Sequence, residues 1–131
     1  MKNQKTYYIR GEPKDYQEAK AFIEWYRHSI RRSFDRHMVT PKHIPMHSYV
    51  LDYGCGWGTF AEIVHEERNC RVDGIDLSPS PIELARDFVG QRDGLSFSTR
   101  SIQDIDNEVY DVVTSTEVIE HTHNPGMYLE E

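Results

Sequence analysis

Tyr49-Val50-Leu51-Asp52-Tyr53-Gly54-Cys55-Gly56-Trp57-Gly58-Thr59-Phe60-Ala61-Glu62 is the stretch that decides how the rest of the chain is read. An apolar run, Tyr49 to Leu51, ends in an acid, Asp52. Glycines then hold alternate positions, Gly54, Gly56 and Gly58, and a helical pattern begins with Phe60, Ala61, Ile63 and Val64. This order predicts a buried strand, a tight turn and a helix N-terminus. Glycine suits such a turn because it reaches backbone angles closed to other residues, and it lets a ligand approach the main chain. A helix start also presents N–H groups without intrahelical partners and the positive end of the helix dipole. The stretch is therefore read as a cradle for a polar or anionic small molecule.

The dinucleotide fingerprint is G-x-G-x-x-G. Here the spacing is G-x-G-x-G, with an acid two residues before the first glycine. An acid at that place repels a pyrophosphate and suits a ligand with a cationic group. Val50-Leu51-Asp52-Tyr53-Gly54-Cys55-Gly56-Trp57-Gly58 resembles the first motif of the class I S-adenosylmethionine-dependent methyltransferases. Their ligand carries an ammonium, a carboxylate and a sulfonium, and no phosphate. The resemblance implies S-adenosylmethionine as cofactor, held by Asp52, Gly54, Gly56 and Gly58.

Later segments extend this reading. Arg71-Val72-Asp73-Gly74-Ile75-Asp76-Leu77 reads as a second strand ending in an acid, and Asp76 falls 18 residues beyond Gly58. A strand-end carboxylate at that distance reaches the ribose hydroxyls of a nucleoside bound at the turn, and one carboxylate can accept from both. Ser80-Pro81-Ile82-Glu83 reads as a capping box with proline at the first helical position, opening a helix from Ile82 to Val89. Gly94 to Thr99 reads as a third strand with Leu95 and Phe97 inward. Many members of the resembled family carry an adenine-binding acid after it; Ser101 stands at the aligned position here, followed by Ile102, and Asp104 matches a position often acidic in the family. Tyr110 to Thr116 reads as a fourth strand, and its consecutive Val112 and Val113 predict cover on both faces. The resemblance implies that Leu77, Ser101, Ile102 and Thr116 also line the cofactor.

Strands alternating with helices over residues 49–131 predict an α/β, Rossmann-like parallel sheet. Right-handed crossovers and the resemblance give the order 3-2-1-4, counted from Tyr49. The family's sheet has seven strands, so this chain carries the first part of it. Residues 48–131 are taken as the S-adenosylmethionine-binding unit and residues 1–47 as an N-terminal arm and helix. Pro13 is read as the first residue of an amphipathic helix of about five turns, with Tyr16, Ala19, Ile23, Tyr26, Ile30 and Phe34 at three- and four-residue steps. In the resembled family such helices cover the cofactor site.

Residues 1–47 hold 10 Lys/Arg against 5 Asp/Glu, a charge of +5; residues 48–131 hold 5 against 17, a charge of −12, and the two sum to the −7 of the chain. An acidic body argues against nucleic acid, whose binding runs on phosphate neutralisation. The basic segment is expected to pack across that body. No apolar run approaches the ~20 residues of a membrane span, and Met1 to Lys5 leads into no apolar core of a signal peptide. Two cysteines make no disulfide framework, and the expected location is cytoplasmic.

Methyl transfer is an in-line displacement at a sulfonium carbon, for which a protein supplies mainly positioning, worth roughly 7–11 kcal/mol. A base helps when the acceptor is a hydroxyl. Glu117-Val118-Ile119-Glu120-His121 follows the fourth strand, at the crevice where open α/β sheets bind ligands. In one reading Glu117 and His121 shape the pocket or relay a proton. In the other, Glu117, Glu120 and His121 share a helix face and ligate Mg²⁺ or Mn²⁺, which such donors suit. The Glu-x-x-Glu-His pattern resembles that of quinone-pathway O-methyltransferases and small-RNA 2′-O-methyltransferases. The expected activity is O-methylation of a small-molecule acceptor; the alternative is a half-domain needing a complementing chain. The fourth strand has no lysine or proline to blunt its outer edge, which predicts a homodimer or a complementing chain there.

Overall fold

The computed structural model describes residues 5–37, 41–105 and 109–115. The chain opens with an antiparallel hairpin of β1 (Tyr7–Ile9) and β2 (Glu12–Lys14). Arg10 and Gly11 join the strands with φ of 54° and 82°, the two positive values that a two-residue hairpin turn needs. Pro13 therefore sits in an edge strand and does not start the helix. Instead α1 (Tyr16–His37) begins behind Asp15. The Asp15 carboxylate accepts the Glu18 N–H at 2.8 Å, and the Glu18 carboxylate accepts the Asp15 N–H at 3.1 Å. That reciprocal cap satisfies two orphan donors.

Four parallel strands follow: β3 (Tyr49–Tyr53), β4 (Arg71–Asp76), β5 (Leu95–Thr99) and β6 (Val112–Thr114), in the spatial order β5-β4-β3-β6. This is the expected order 3-2-1-4. The crossovers are α2 (Thr59–Arg68) and α3 (Pro79–Leu84), the latter continuing as π-helical turns through Ala85–Gly90. The N-cap of α3 is Ser78 with Pro79 next, one Ser-Pro pair earlier than the motif suggests. Asp76 decides this, because its Oδ1 accepts the Ser78 N–H at 2.9 Å and starts the helix there.

One core holds these parts together. Tyr7, Ile9, Ala19 and Ile23 from the N-terminal segment are buried with Val50, Phe60, Val64, Val72, Leu84, Leu95 and Phe97. Beside it, Glu62 of α2 is fully buried. Arg27 of α1 grips it with Nε and Nη2, Arg92 adds Nη2 at 3.0 Å, and Arg31 lies at 3.5 Å. Lys5 pairs with Glu83 and Asp87 at 2.8 and 2.7 Å. The basic N-terminal segment thus lies across the acidic body. Val113 departs from expectation: it is 54% exposed, whereas Val112 packs against the core.

Candidate functional site

Register places one residue from each strand in a row across the sheet: Thr114, Asp52, Gly74 and Phe97. The glycine turn is built on this row. A Cβ on Gly74 would lie 3.0 Å from Cys55 Sγ and 2.9 Å from the Phe97 ring. The missing side chain is what lets Cys55 settle over β4. Gly58, at φ 84°, would drive a Cβ to 2.6 Å from the same ring. The turn therefore closes only because two glycines meet one phenylalanine.

The turn's own N–H groups are mostly engaged. Gly54 and Cys55 both donate to the Ile75 carbonyl, at 2.8 and 2.9 Å, and Gly58 donates to the Cys55 carbonyl at 3.0 Å. Gly56 donates to Asp76 Oδ2 at 3.0 Å. Asp76 thus ties the turn to the start of α3, one hydrogen bond to each oxygen. Each oxygen keeps a lone pair for a hydroxyl of a ligand. At Gly56, φ is +55° and an added Cβ would meet nothing within 4 Å. The space above the turn is open at that residue.

Asp52 is the unusual group. It is 1% exposed. Its Oδ1 accepts the Thr114 hydroxyl at 3.0 Å, while Oδ2 has no hydrogen-bond partner among the described residues. Burial pushes the carboxyl up to about 7; the Thr114 hydrogen bond opposes this and the charge of Asp76 adds to it. Burial, with the charges of Asp52 and Asp76, also pushes the Cys55 thiol up, which makes it a packing group rather than a nucleophile.

The other expected residues divide. Leu77 is 64% exposed beside Asp76. Ser101 caps the short helix Ile102–Asp104: its Oγ accepts the Gln103 N–H at 3.2 Å, and the Asp104 carboxylate accepts the Ser101 N–H at 3.3 Å. Thr116, Glu117, Glu120 and His121 lie outside the described residues. An aromatic wall from α1 stands beside the turn. Phe22 and Tyr26 meet Trp57 edge-on, with ring centroids at 5.0 and 4.7 Å. On the opposite sheet face, Asp73 accepts the hydroxyls of Tyr49, Tyr110 and Ser96 at 2.6, 2.8 and 2.8 Å. A cavity of about 420 Å³ there touches no residue of the glycine turn.

Sequence reading placed Phe97 inward, as found, but missed its contact with the turn and the parts of Gly74 and Thr114, because these lie in cross-strand register. A glycine inside a strand is a signal for close backbone approach, and it was available at Gly74.

The arrangement defines a class: an α/β domain that cradles a small ligand at a glycine turn between the carboxyl ends of parallel strands. Residues 22–131 match the methyltransferase-domain family model, and the chain belongs to that family, as a class I S-adenosylmethionine-dependent methyltransferase domain. It is 36% identical over 82 residues to the ubiquinone biosynthesis O-methyltransferase of Hahella chejuensis, covering 59% of this chain and 34% of that protein. It therefore spans about a third of the length of that curated relative. Among solved structures it resembles a chain of the complex between the Haloferax volcanii Trm112 methyltransferase activator and a methyltransferase, at 27% identity and TM-score 0.62, covering 87% of this chain and 53% of that one. It also shares the fold of the plantazolicin methyltransferase BpumL, solved in complex with SAH, at 24% identity and TM-score 0.53 over 86% and 38% of the two chains.

Proposed function

We propose that this chain is the cofactor-binding part of a methyltransferase that transfers a methyl group from S-adenosylmethionine to an oxygen of a small molecule. The observation that carries the cofactor is the buried Asp52 oxygen without a donor, under a turn whose Gly56 opens to free space. A buried carboxylate is stable only when paired, and the cofactor's ammonium is the cation that fits. Asp76 keeps lone pairs for the ribose hydroxyls, and Leu77 and Ile102 offer apolar surface for the adenine. Ser101 can still donate its hydroxyl hydrogen while it accepts from Gln103. When bound, S-adenosylmethionine supplies an electrophilic methyl group on its sulfonium. The protein's part is to fix the two ends of the ligand, at Asp52 and at Asp76, and to keep water from the turn with Trp57, Phe22 and Tyr26.

The oxygen acceptor rests on the kinship with the Hahella chejuensis O-methyltransferase. Glu117 and His121 are assigned to the acceptor side as proton relay, and Glu117, Glu120 and His121 as ligands if Mg²⁺ or Mn²⁺ orients the hydroxyl. The cytoplasm is the proposed location: Cys55 and Cys70 are both buried free thiols. A second reading, a half-domain completed by another chain, is favoured by β6, which among the described residues pairs with a strand on one side only.

Calorimetry with S-adenosylhomocysteine tests the cofactor assignment. Micromolar binding is expected, weakened about tenfold or more in Asp76→Ala, as for loss of hydrogen bonds to a charged group. No binding to the intact chain would refute it. Methyl transfer to hydroxylated acceptors, run with and without excess chelator, tests the acceptor class and the metal: activity that survives chelation removes the metal role.

A further inference from the structure

Thr114 has no part in the roles above, yet its hydroxyl sits between two acceptors. Oγ1 lies 3.0 Å from Asp52 Oδ1 and 3.5 Å from the Leu51 carbonyl oxygen. A hydroxyl carries one hydrogen and two lone pairs, so it can serve only one of these acceptors at a time. When it donates to Asp52, it stabilises the carboxylate. When it donates to Leu51, its own oxygen is free to accept the proton of a neutral Asp52. The contact is thus compatible with both charge states of a side chain that is 1% exposed.

We propose that Thr114 is a positioning residue that presents Asp52 as a carboxylate to the cofactor's ammonium, so that cofactor binding and loss of a proton from Asp52 are one linked event. This rests on the assignment of S-adenosylmethionine to the glycine turn. In the free protein, Asp52 keeps its proton for part of the time, because an isolated buried charge is costly. On binding, the Asp52 O–H bond breaks, the proton leaves to solvent, and the carboxylate pairs with the incoming ammonium. The hydroxyl of Thr114 then turns from Leu51 to Asp52. Burial lifting the Asp52 carboxyl to about 7 places the exchange in the neutral range.

The groups facing Asp52 are consistent with this. Asp76, at the end of β4, contributes a like charge, and Cys55, in the turn, contributes a thiol held neutral by burial. From β6 the facing group is Thr114, and from β5 the row supplies Phe97, which has no charge. Among the described residues, no lysine, arginine or histidine pairs with Asp52. The cation is left to the ligand.

Titration calorimetry of the full chain with S-adenosylhomocysteine, in buffers of small and large ionisation heat, reads the proton directly. The expected result is release of about half a proton per ligand at pH 7, more at pH 6 and little at pH 8.5, with affinity rising across that range. 5′-Methylthioadenosine, which lacks the amino-acid end, should bind without proton release. Thr114→Val should bind S-adenosylhomocysteine about tenfold more weakly at pH 7 and shift the affinity rise to higher pH, and Thr114→Ser should restore both. Binding by the wild-type chain with no dependence on buffer overturns the proposal, whatever the variants do. So does a Thr114→Val protein with unchanged affinity and unchanged proton release. Failure of the wild-type chain to bind S-adenosylhomocysteine at any pH instead refutes the cofactor assignment on which the proposal stands.

Discussion

At Asp52 the protein holds a proton more tightly than the unfolded chain does, since the carboxyl moves from 3.8 to about 7. Stability from this site is therefore full below about pH 3.8 and is lost as the pH rises through about 7. Asp52→Asn removes the titration. The melting temperature of the variant relative to wild type should be several degrees more favourable at pH 8 than at pH 5, measured without ligand; a difference that does not move with pH would count against a buried ionising carboxyl. Glycines of the turn separate in the same way by what surrounds them. Gly58→Ala places a Cβ 2.6 Å from Phe97 at φ 84° and should cost about 2 kcal/mol or more. Gly56→Ala meets open space and should cost about 1 kcal/mol from backbone strain alone, while losing more in affinity for S-adenosylhomocysteine. Urea unfolding and calorimetry on the two variants check the contrast. The turn through Gly54, Gly56 and Gly58, with Asp52 and Asp76 in the strands beside it, was legible because each stands at a fixed offset along the chain. The pairing of Thr114 with Asp52 and the packing of Phe97 under the turn were not, because a row across four strands has no local spacing to betray it.

Among the elements, the four parallel strands fell where their apolar runs placed them, although β6 is confined to Val112–Thr114 and its Val113 is exposed; two further departures occurred where two local signals competed. Pro13 is acceptable both as a first helical residue and in an edge strand; the Arg10-Gly11 turn settles it for the hairpin. Ser78-Pro79 and Ser80-Pro81 are both good helix starts, and a carboxylate from the preceding strand selects the first. Glu62 shows the reverse problem. It sits within the apolar run Phe60-Ala61-Glu62-Ile63-Val64, and a polar residue there has no readable partner until α1 is docked. Docking brings Arg27 onto it in a two-pronged contact. Arg27→Met should lower stability by about 2 kcal/mol, within the range for hydrogen bonds to charged groups, less than a complete loss of partners because Arg92 stays at 3.0 Å. Chemical denaturation measures it, and an unchanged midpoint would show that Arg92 alone suffices.

For the molecule as a whole, the sheet edge matters more than the net charge. Val113 lies exposed on β6, and the outer side of that strand has no partner among the described residues. An unpaired edge without lysine or proline attracts another strand. Light scattering at micromolar concentration should return about twice the 15.4 kDa of the chain, and Val113→Lys should shift it toward one copy; a monomer in the wild type would end the dimer proposal. The Glu62 node bears on a different practical matter. Glu62 belongs by sequence to the sheet-bearing part of the chain, but two of its three arginines arrive from α1. A shortened chain starting at residue 48 would keep the four-stranded sheet and the whole glycine turn, and would leave Glu62, buried in the whole fold, with one arginine of three. The first third is thus part of what holds α2 in place: without it Glu62 loses the two arginines that α1 contributes.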